Sequence, residues 1–345
     1  MTSMTLPDQL RWTATFLRSQ LLTPIPTPTS NFSGQTVIVT GSNTGLGLEA
    51  ARHLARLGAG KIILAVRTLA KGEAAAQDIL RSCHGNADVP DGAPTIEVWQ
   101  LDMSDTHSIR SFAERAGKLE RLDAAVLNAG ILTYKFETQE GVESHLAVNV
   151  VGTVLLTCLL LPKMRESAAR TGLRGRLTVV GSDMMYMADT RELQTDGSII
   201  AKLNDPARSQ VKQRYPLSKV LVFYSLRELA SRCPLDDASD VILSVLTPGA
   251  CKSDIFRDDM GALGRMFMGV AMAALGRSTE VGGRTLVFGV SPDLTAEAHG
   301  RFLMDNKIAP NGTNVDGPTS RELAGRWNEE FFAYLEKISP GCTAF

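Results

Sequence analysis

The chain has few of the residues that would mark a disulfide scaffold, a metal centre or a membrane span. Its five cysteines, Cys83, Cys158, Cys233, Cys251 and Cys342, are odd in number, scattered, and form no Cys-x-x-Cys. That argues against a disulfide framework or a zinc site and fits a reducing, cytoplasmic setting. The five histidines show no ligand-like clustering, so no metal is expected. A formal net charge of -1 gives no general electrostatic reason to bind nucleic acid or an anionic membrane. No secretory signal is visible at the start, so the sequons Asn31-Phe32-Ser33 and Asn311-Gly312-Thr313 read as chance. The longest apolar run, Val150 to Leu161, is too short to span a bilayer. It predicts a buried helix that permits a homodimer without demanding one.

What is present is the profile of a globular enzyme: 345 residues, 44% hydrophobic and 21% charged. Residues 1–32 stand apart as an arm and linker. Leu6 to Leu22 predicts a short amphipathic helix with Leu10, Phe16, Leu17, Leu21 and Leu22 as its apolar side, and Pro24, Pro26 and Pro28 then impose an extended linker. An arm packed on the body, a membrane-surface anchor and a cover for a substrate pocket are the readings open to it.

The body opens with Thr36 to Thr40, a β-branched run that predicts a buried strand. Gly41-Ser42-Asn43-Thr44-Gly45-Leu46-Gly47 follows, and a helical pattern begins there and stops at Gly58. Strand, glycine turn and helix is the context in which such glycines bind phosphate. Gly41 permits the tight turn, Gly45 lets backbone amides approach a pyrophosphate, and Gly47 lets helix and strand pack closely. The helix N-terminus offers unpaired N–H groups to the anion.

Lys61 to Val66 predicts a second strand, with Arg67 at its C-terminal end. An acidic residue there would bind the adenosine ribose hydroxyls; Arg67 would clamp a 2′-phosphate, so NADP(H) is expected. A helix over Leu69 to Ser82, a loop over His84 to Pro94 and a strand over Thr95 to Leu101 follow. Asp102 and Met103 come next, placed to touch the adenine, and Ser104 or Asp105 caps the next helix. Asp123 to Leu127 predicts a strand ending in Asn128-Ala129-Gly130. Glu140 to Arg165 reads as one helical stretch, closing near Pro162 and containing Asn149. Gly175 to Val180 delivers Gly181-Ser182 at a strand's C-terminal edge, where ligands of open α/β sheets gather. The alternation implies a doubly wound parallel sheet, three layers α/β/α, in a single domain with an N-terminal arm.

Tyr215 and Lys219 are separated by four positions, which places both on one helical face. A phenol titrates near pH ~10, and a neighbouring cation shifts it toward neutrality. Pro216 directly after Tyr215 biases that residue away from helical geometry, so the helix is expected to start within a turn of Tyr215.

Thr40-Gly41-x-x-x-Gly45-x-Gly47, Asn128-Ala129-Gly130, Asn149, Ser182, Tyr215-x-x-x-Lys219 and Pro248-Gly249 occur in the order seen in short-chain dehydrogenases/reductases. Over residues 33–305 the chain resembles that family. Within it, Leu64-Ala65-Val66-Arg67 and Lys71-Gly72-Glu73 look like the retinol-dehydrogenase-like branch, and the chain is also similar to reductases of fungal secondary metabolism. The resemblance implies a Rossmann fold and a catalytic tetrad of Asn149, Ser182, Tyr215 and Lys219. It gives Lys219 the nicotinamide ribose and Asn149 a water linking that lysine to solvent. Ser253 stands where the family often has a Thr bonding the nicotinamide amide.

The segments 183–214 and 252–276 would frame the substrate, and 306–345 would form a helical extension packed on the body. Met184, Met185 and Met187, with Met266, Met268 and Met272, suit a bulky apolar small molecule. The expected activity is NADP(H)-dependent interconversion of a carbonyl and an alcohol, leaning to reduction. A non-redox isomerase or cyclase on the same scaffold and a non-catalytic NADP(H)-binding protein are the alternatives.

Overall fold

Strands that are buried along their whole length make the centre of this sheet. In a computed structural model the chain is described at residues 6–83, 94–208, 210–235, 240–253, 255, 269 and 272–344. Apolar and β-branched runs form β1 (Thr36–Thr40), β2 (Lys61–Val66), β3 (Thr95–Gln100) and β4 (Ala124–Leu127). The hairpin strands β5 (Thr138–Gln139) and β6 (Val142–Glu143) lie outside the main sheet. β7 (Gly175–Val180), β8 (Val241–Thr247), β9 (Arg301–Met304) and β10 (Lys307–Ile308) complete it. The order is β10-β9-β8-β7-β4-β1-β2-β3, parallel except for the antiparallel edge pair β9–β10. β1, β4, β7 and β8 are buried at every position, as a sheet covered on both faces requires.

Helices α1 (Leu6–Leu22), α2 (Gly45–Arg56), α3 (Leu69–Cys83), α4 (Thr106–Gly117), α5 (Thr153–Thr171), α6 (Ile199–Leu203), α7 (Val211–Arg232) and α8 (Thr279–Phe288) follow in chain order. α4, α5 and α7 enclose one core with the inner sheet face, and α2, α3 and α8 enclose the other. The helix Pro318–Ile338 adds Trp327, Phe331 and Leu335 to the first core, and Trp327 Nε1 donates to Ser225 Oγ at 2.9 Å. All five cysteines are buried and free.

The expected helix over 140–165 is corrected at both ends. Glu140 and Gly141 carry φ of 50° and 79°, the backbone of a tight two-residue hairpin turn, so β5 and β6 stand where helix was expected. Helix begins only at Ser144, and Leu146–Gly152 is a π-helix centred on Asn149. α5 then runs through Pro162 to Thr171 and closes at Gly172 in left-handed conformation, φ 67°. Burial sustains the helix across the proline: 89% of its apolar window lies inside the chain, so these residues serve the core. α7 starts at Val211, four residues ahead of Tyr215, and Pro216 sits in its second turn. The expected loop 84–94 and the Met-rich stretch 260–275 lie largely outside the described residues.

Candidate active site

The strand order reverses between β1 and β4, and a crevice of about 480 Å³ opens at that switch point. Asn43, Thr44, Gly45 and Leu46 line it, with Gly41 at the turn itself. Gly41 and Gly45 have φ of 62° and 60°, and a Cβ on Gly45 would meet nothing within 4 Å, so its backbone faces open space. A Cβ on Gly47 would lie 2.6 Å from Gly41 O and 2.7 Å from Asn128 Nδ2, so only glycine permits this approach of α2 to the sheet. One residue of the turn faces inward, and Asn128, after β4, holds the turn from below. Ser42 is fully buried and its hydroxyl donates to Val39 O at 2.9 Å. Asn128 lines the crevice, but its amide donates to Thr40 O at 3.0 Å and Gly41 O at 3.2 Å, so it braces the turn.

At the adenosine end Arg67, Thr68 and Lys71 line the crevice, and both cations are exposed with no carboxylate partner among the described residues. Lys71 was not singled out for binding from the sequence; its position one helical turn past Arg67 was the available signal. Asp102 and Met103 line the opposite wall. Asp102 Oδ1 accepts from the backbone and hydroxyl of Ser104, and Asp105 caps α4 through His107 N and Ser108 N. Ala129, Gly130, Ile131 and Ser253 line the other end.

Below Gly130 the tetrad residues converge. A Cβ at Gly130 would stand 3.2 Å from Asn149 Oδ1 and 3.7 Å from Lys219 Nζ. Lys219 Nζ donates to Val180 O at 2.8 Å and lies 5.4 Å from the centroid of the Tyr215 ring. Asn149 Nδ2 donates to Ile131 O and Ser218 Oγ, each at 3.0 Å, and Oδ1 accepts from Ile131 N at 2.9 Å. That side chain therefore clamps the bend after Gly130 to α7. The π-helix brings it there, one extra residue per turn shifting its direction. Gly152 closes the π-helix, and a Cβ on it would fall 2.2 Å from Met103 O.

Electrostatics differ from the expectation for Tyr215. Burial pushes its phenol up to about 12, Ser182 opposes by hydrogen bonding, and Asp183 adds to the rise. Lys219 is not among the groups that move it; burial lowers the lysine itself to about 8. Within the protein alone, desolvation outweighs the attraction that the four-residue spacing suggests.

The sequence reading missed two features. Asp183, directly after Ser182, is buried and raised by burial to about 6. Its own N–H donates to Thr247 Oγ1 at 3.2 Å, and Ser182 Oγ donates to its Oδ1 at 3.5 Å. The second is a fully buried pair, Glu143 Oε1 and His145 Nδ1 at 2.7 Å. His145 Nε2 accepts from Thr133 N at 3.2 Å, fixing the wall that follows Gly130. Burial pushes Glu143 up, but His145 and two backbone N–H groups hold it below the usual carboxylate range.

Pro248 and Gly249 do not line the crevice. Pro248 O accepts from Arg277 at 3.1 Å, and a Cβ on Gly249 would strike Gln20 Nε2 at 2.3 Å and Arg277 at 3.0 Å. They meet the N-terminal arm instead.

A family model for short chain dehydrogenase matches residues 35–188. The chain is 40% identical over 336 residues, 95% of its length and 99% of the relative's, to the short chain dehydrogenase/reductase dmxR8 of Cryptosporiopsis sp.. The chain belongs to the short-chain dehydrogenase/reductase family. As a member it is an oxidoreductase on a Rossmann fold. It is also 38% identical to the short chain dehydrogenase FGM9 of Gibberella zeae, over 94% of this chain and 92% of that one. Among solved structures it shares the fold of a 3-oxoacyl (acyl-carrier-protein) reductase from Agrobacterium tumefaciens with NADP bound. The TM-score is 0.57 at 22% identity, covering 79% of this chain and 93% of that one.

Proposed function

We propose that this short-chain dehydrogenase/reductase is an NADP(H)-dependent reductase of ketones or aldehydes on bulky apolar small molecules. The observation that carries the reading is the convergence of Ser182, Tyr215, Lys219 and Asn149 beneath Gly130, at one end of the crevice. The crevice residues fit a dinucleotide. The Gly41–Gly45 turn offers open backbone to a pyrophosphate, and Arg67 with Lys71 forms a pair of free cations suited to a 2′-phosphate. The solved relative with NADP bound agrees with that choice.

A nicotinamide cofactor held in the crevice would supply the hydride for the carbonyl carbon. Tyr215 gives its proton to the carbonyl oxygen as charge develops there. A phenol near 12 is protonated at neutral pH, and the developing alkoxide is about as basic as hydroxide, so the proton moves downhill. Ser182 donates to the same oxygen and fixes its position. Lys219, at about 8, is mainly an ammonium at pH 7 and places positive charge below the site. Asn149 acts as a positioning residue, holding Ile131 and Ser218 while keeping one acceptor lone pair on Oδ1.

The test is nucleotide oxidation at 340 nm against a panel of ketones and aldehydes. Tyr215→Phe is expected to lower kcat by about 10² or more while NADPH binding persists. Turnover undiminished by that change would overturn the chemistry. Arg67→Ala with Lys71→Ala is expected to raise KM for NADPH and leave NADH unaffected. A clear preference of the unaltered enzyme for NADH would overturn the cofactor assignment.

A further inference from the structure

The sequence leaves open whether the leucine side of α1 packs on the body, meets a membrane surface or covers a pocket. The structure turns that side outward. Ser19, buried, donates to Asp305 Oδ1 at 2.8 Å, and Trp12 Nε1 donates to Asp183 O at 3.3 Å. With its amide oriented to satisfy its neighbours, Gln20 donates to Ala250 O and Leu275 O and accepts from Ala250 N, each at 3.1 Å. The inward face is therefore Trp12, Ser19 and Gln20, with Phe16 stacked on Trp12. Leu10, Leu17 and Leu21 point outward at 64%, 39% and 56% exposure, and Leu22 at 76%.

Leu10, Ala14, Leu17 and Leu21 fall within roughly 60° of one another at 100° per residue, a continuous stripe along the helix. Arg11 and Arg18 form one shoulder of that stripe, both exposed. α1 carries two arginines and one carboxylate, Asp8 in its first turn. These leucines contribute four of the six large hydrophobics that the described residues expose. A helix whose inner face is held by polar bonds and whose outer face is apolar is built to meet something.

We propose that α1 is a docking helix for an anionic lipid bilayer surface. It would lie flat, with the leucines below the headgroups and the two arginines among the phosphates or carboxylates. At 17 residues, about 25 Å, and with Ser19 and Gln20 bound to the body, it does not span. A second copy of the chain fits the stripe poorly. The leucines expose on the order of 400 Å², so a pair would bury about 800 Å², short of the ~1,200 Å² of a stable interface. Charge also decides, since two copies would bring their arginines together, whereas anionic lipid neutralises them. The inner face of the same helix touches Asp183 and Ala250, so the docked surface would lie beside the place where an apolar substrate enters. This last point rests on the reductase reading; the docking itself does not.

Sedimentation of the full chain with phosphatidylcholine vesicles, and with vesicles holding about 30% phosphatidylserine, tests the proposal. The unaltered chain should pellet with the anionic vesicles and be released by high salt. Leu10→Glu, Leu17→Glu and Leu21→Glu together, all at exposed positions, should abolish pelleting on both compositions with the melting temperature unchanged. Arg11→Ala with Arg18→Ala should weaken the partition on anionic vesicles by about thirtyfold and leave weak binding to neutral ones unchanged. An unaltered chain that stays in the supernatant with both compositions overturns the proposal. So does a dimer in solution that the triple variant converts to monomer, which would give the stripe to a second copy. Loss of reductase activity without loss of vesicle binding would count against the reductase reading alone.

Discussion

At neutral pH the phenol of Tyr215 carries its proton, because burial holds it near 12. The group that titrates close to working pH is Lys219, lowered by burial to about 8 from the ordinary ~10.4. Its ammonium is present below about pH 8 and lost above it. Reductive kcat/KM should therefore be level to about pH 7.5 and fall above 8; a profile level up to pH 10 would remove the lysine from the step. Asp183 gives the opposite sign. Its folded-state value, about 6, lies above the ordinary ~3.9, so the native state binds more protons between those values. The stability linked to that proton is complete below about pH 4 and lost as pH rises through 6. Asp183→Asn should accordingly stabilise the protein at pH 7 by as much as about 2–3 kcal/mol and have little effect at pH 4, read as melting temperature at the two values. The resemblance to the family singled out Asn149, Ser182, Tyr215 and Lys219 together, and the fold brings them to one place. Asp183 was not legible, because its significance comes from burial, which a single letter beside Ser182 does not encode.

At the scale of elements, the parallel strands β1, β2, β3, β4 and β7 were read to within a residue. A strand buried on both faces is a run of β-branched and apolar residues, and such runs have few other fates. The π-helix was not legible. No residue type specifies an extra residue in a helical turn; the turn accommodates tertiary contacts, here Asn149 reaching Ile131 and Gly152 yielding to Met103 O. Gly152→Ala places a Cβ 2.2 Å from that carbonyl. Displacing the Asp102–Met103 wall should cost about 1–3 kcal/mol in urea denaturation and raise KM for NADPH. Gly117→Ala, where a Cβ meets nothing within 4 Å, is the control and should be neutral or slightly stabilising. The hairpin over Thr138–Glu143 was hidden for a different reason. Glu140 has ordinary helix propensity, and only the pairing of both strands forces it to a φ of 50°.

Across the whole molecule, several side chains tie the arm to the body, Arg277 with the most bonds among them. The Arg277 guanidinium is buried and donates to Pro248 O at 3.1 Å, to Ser19 O at 2.7 Å and to Thr23 O at 3.4 Å, while pairing with Asp305 at 2.7 Å. The last turn of α1 has no basic residue, so an arginine some 250 positions away supplies the positive charge that a helix C-terminus favours. Arg277→Ala leaves Asp305 without its cation and should cost about 3–5 kcal/mol. Trypsin should then cut at Arg11 and Arg18 well before the rest of the chain; an arm as resistant as before would contradict this anchoring. An amphipathic helix was readable from the leucine periodicity, but which face it would bury was not. That depended on polar groups, Ser19 and Gln20, finding partners more than 200 residues away.

The buried thiols give this anchoring a clock. Cys251 follows the Gly249–Ala250 turn against which Gln20 packs, is sealed from solvent, and is held as a thiol near 12. Its sulfur packs against Gly282 of α8, so a maleimide dye should modify it only when the arm lifts and the turn beneath it shifts away from α8. Cys158, 1% exposed within the first core, would wait for far rarer openings. The ratio of those labelling rates reports how often the entrance is uncovered in a molecule that otherwise stays folded.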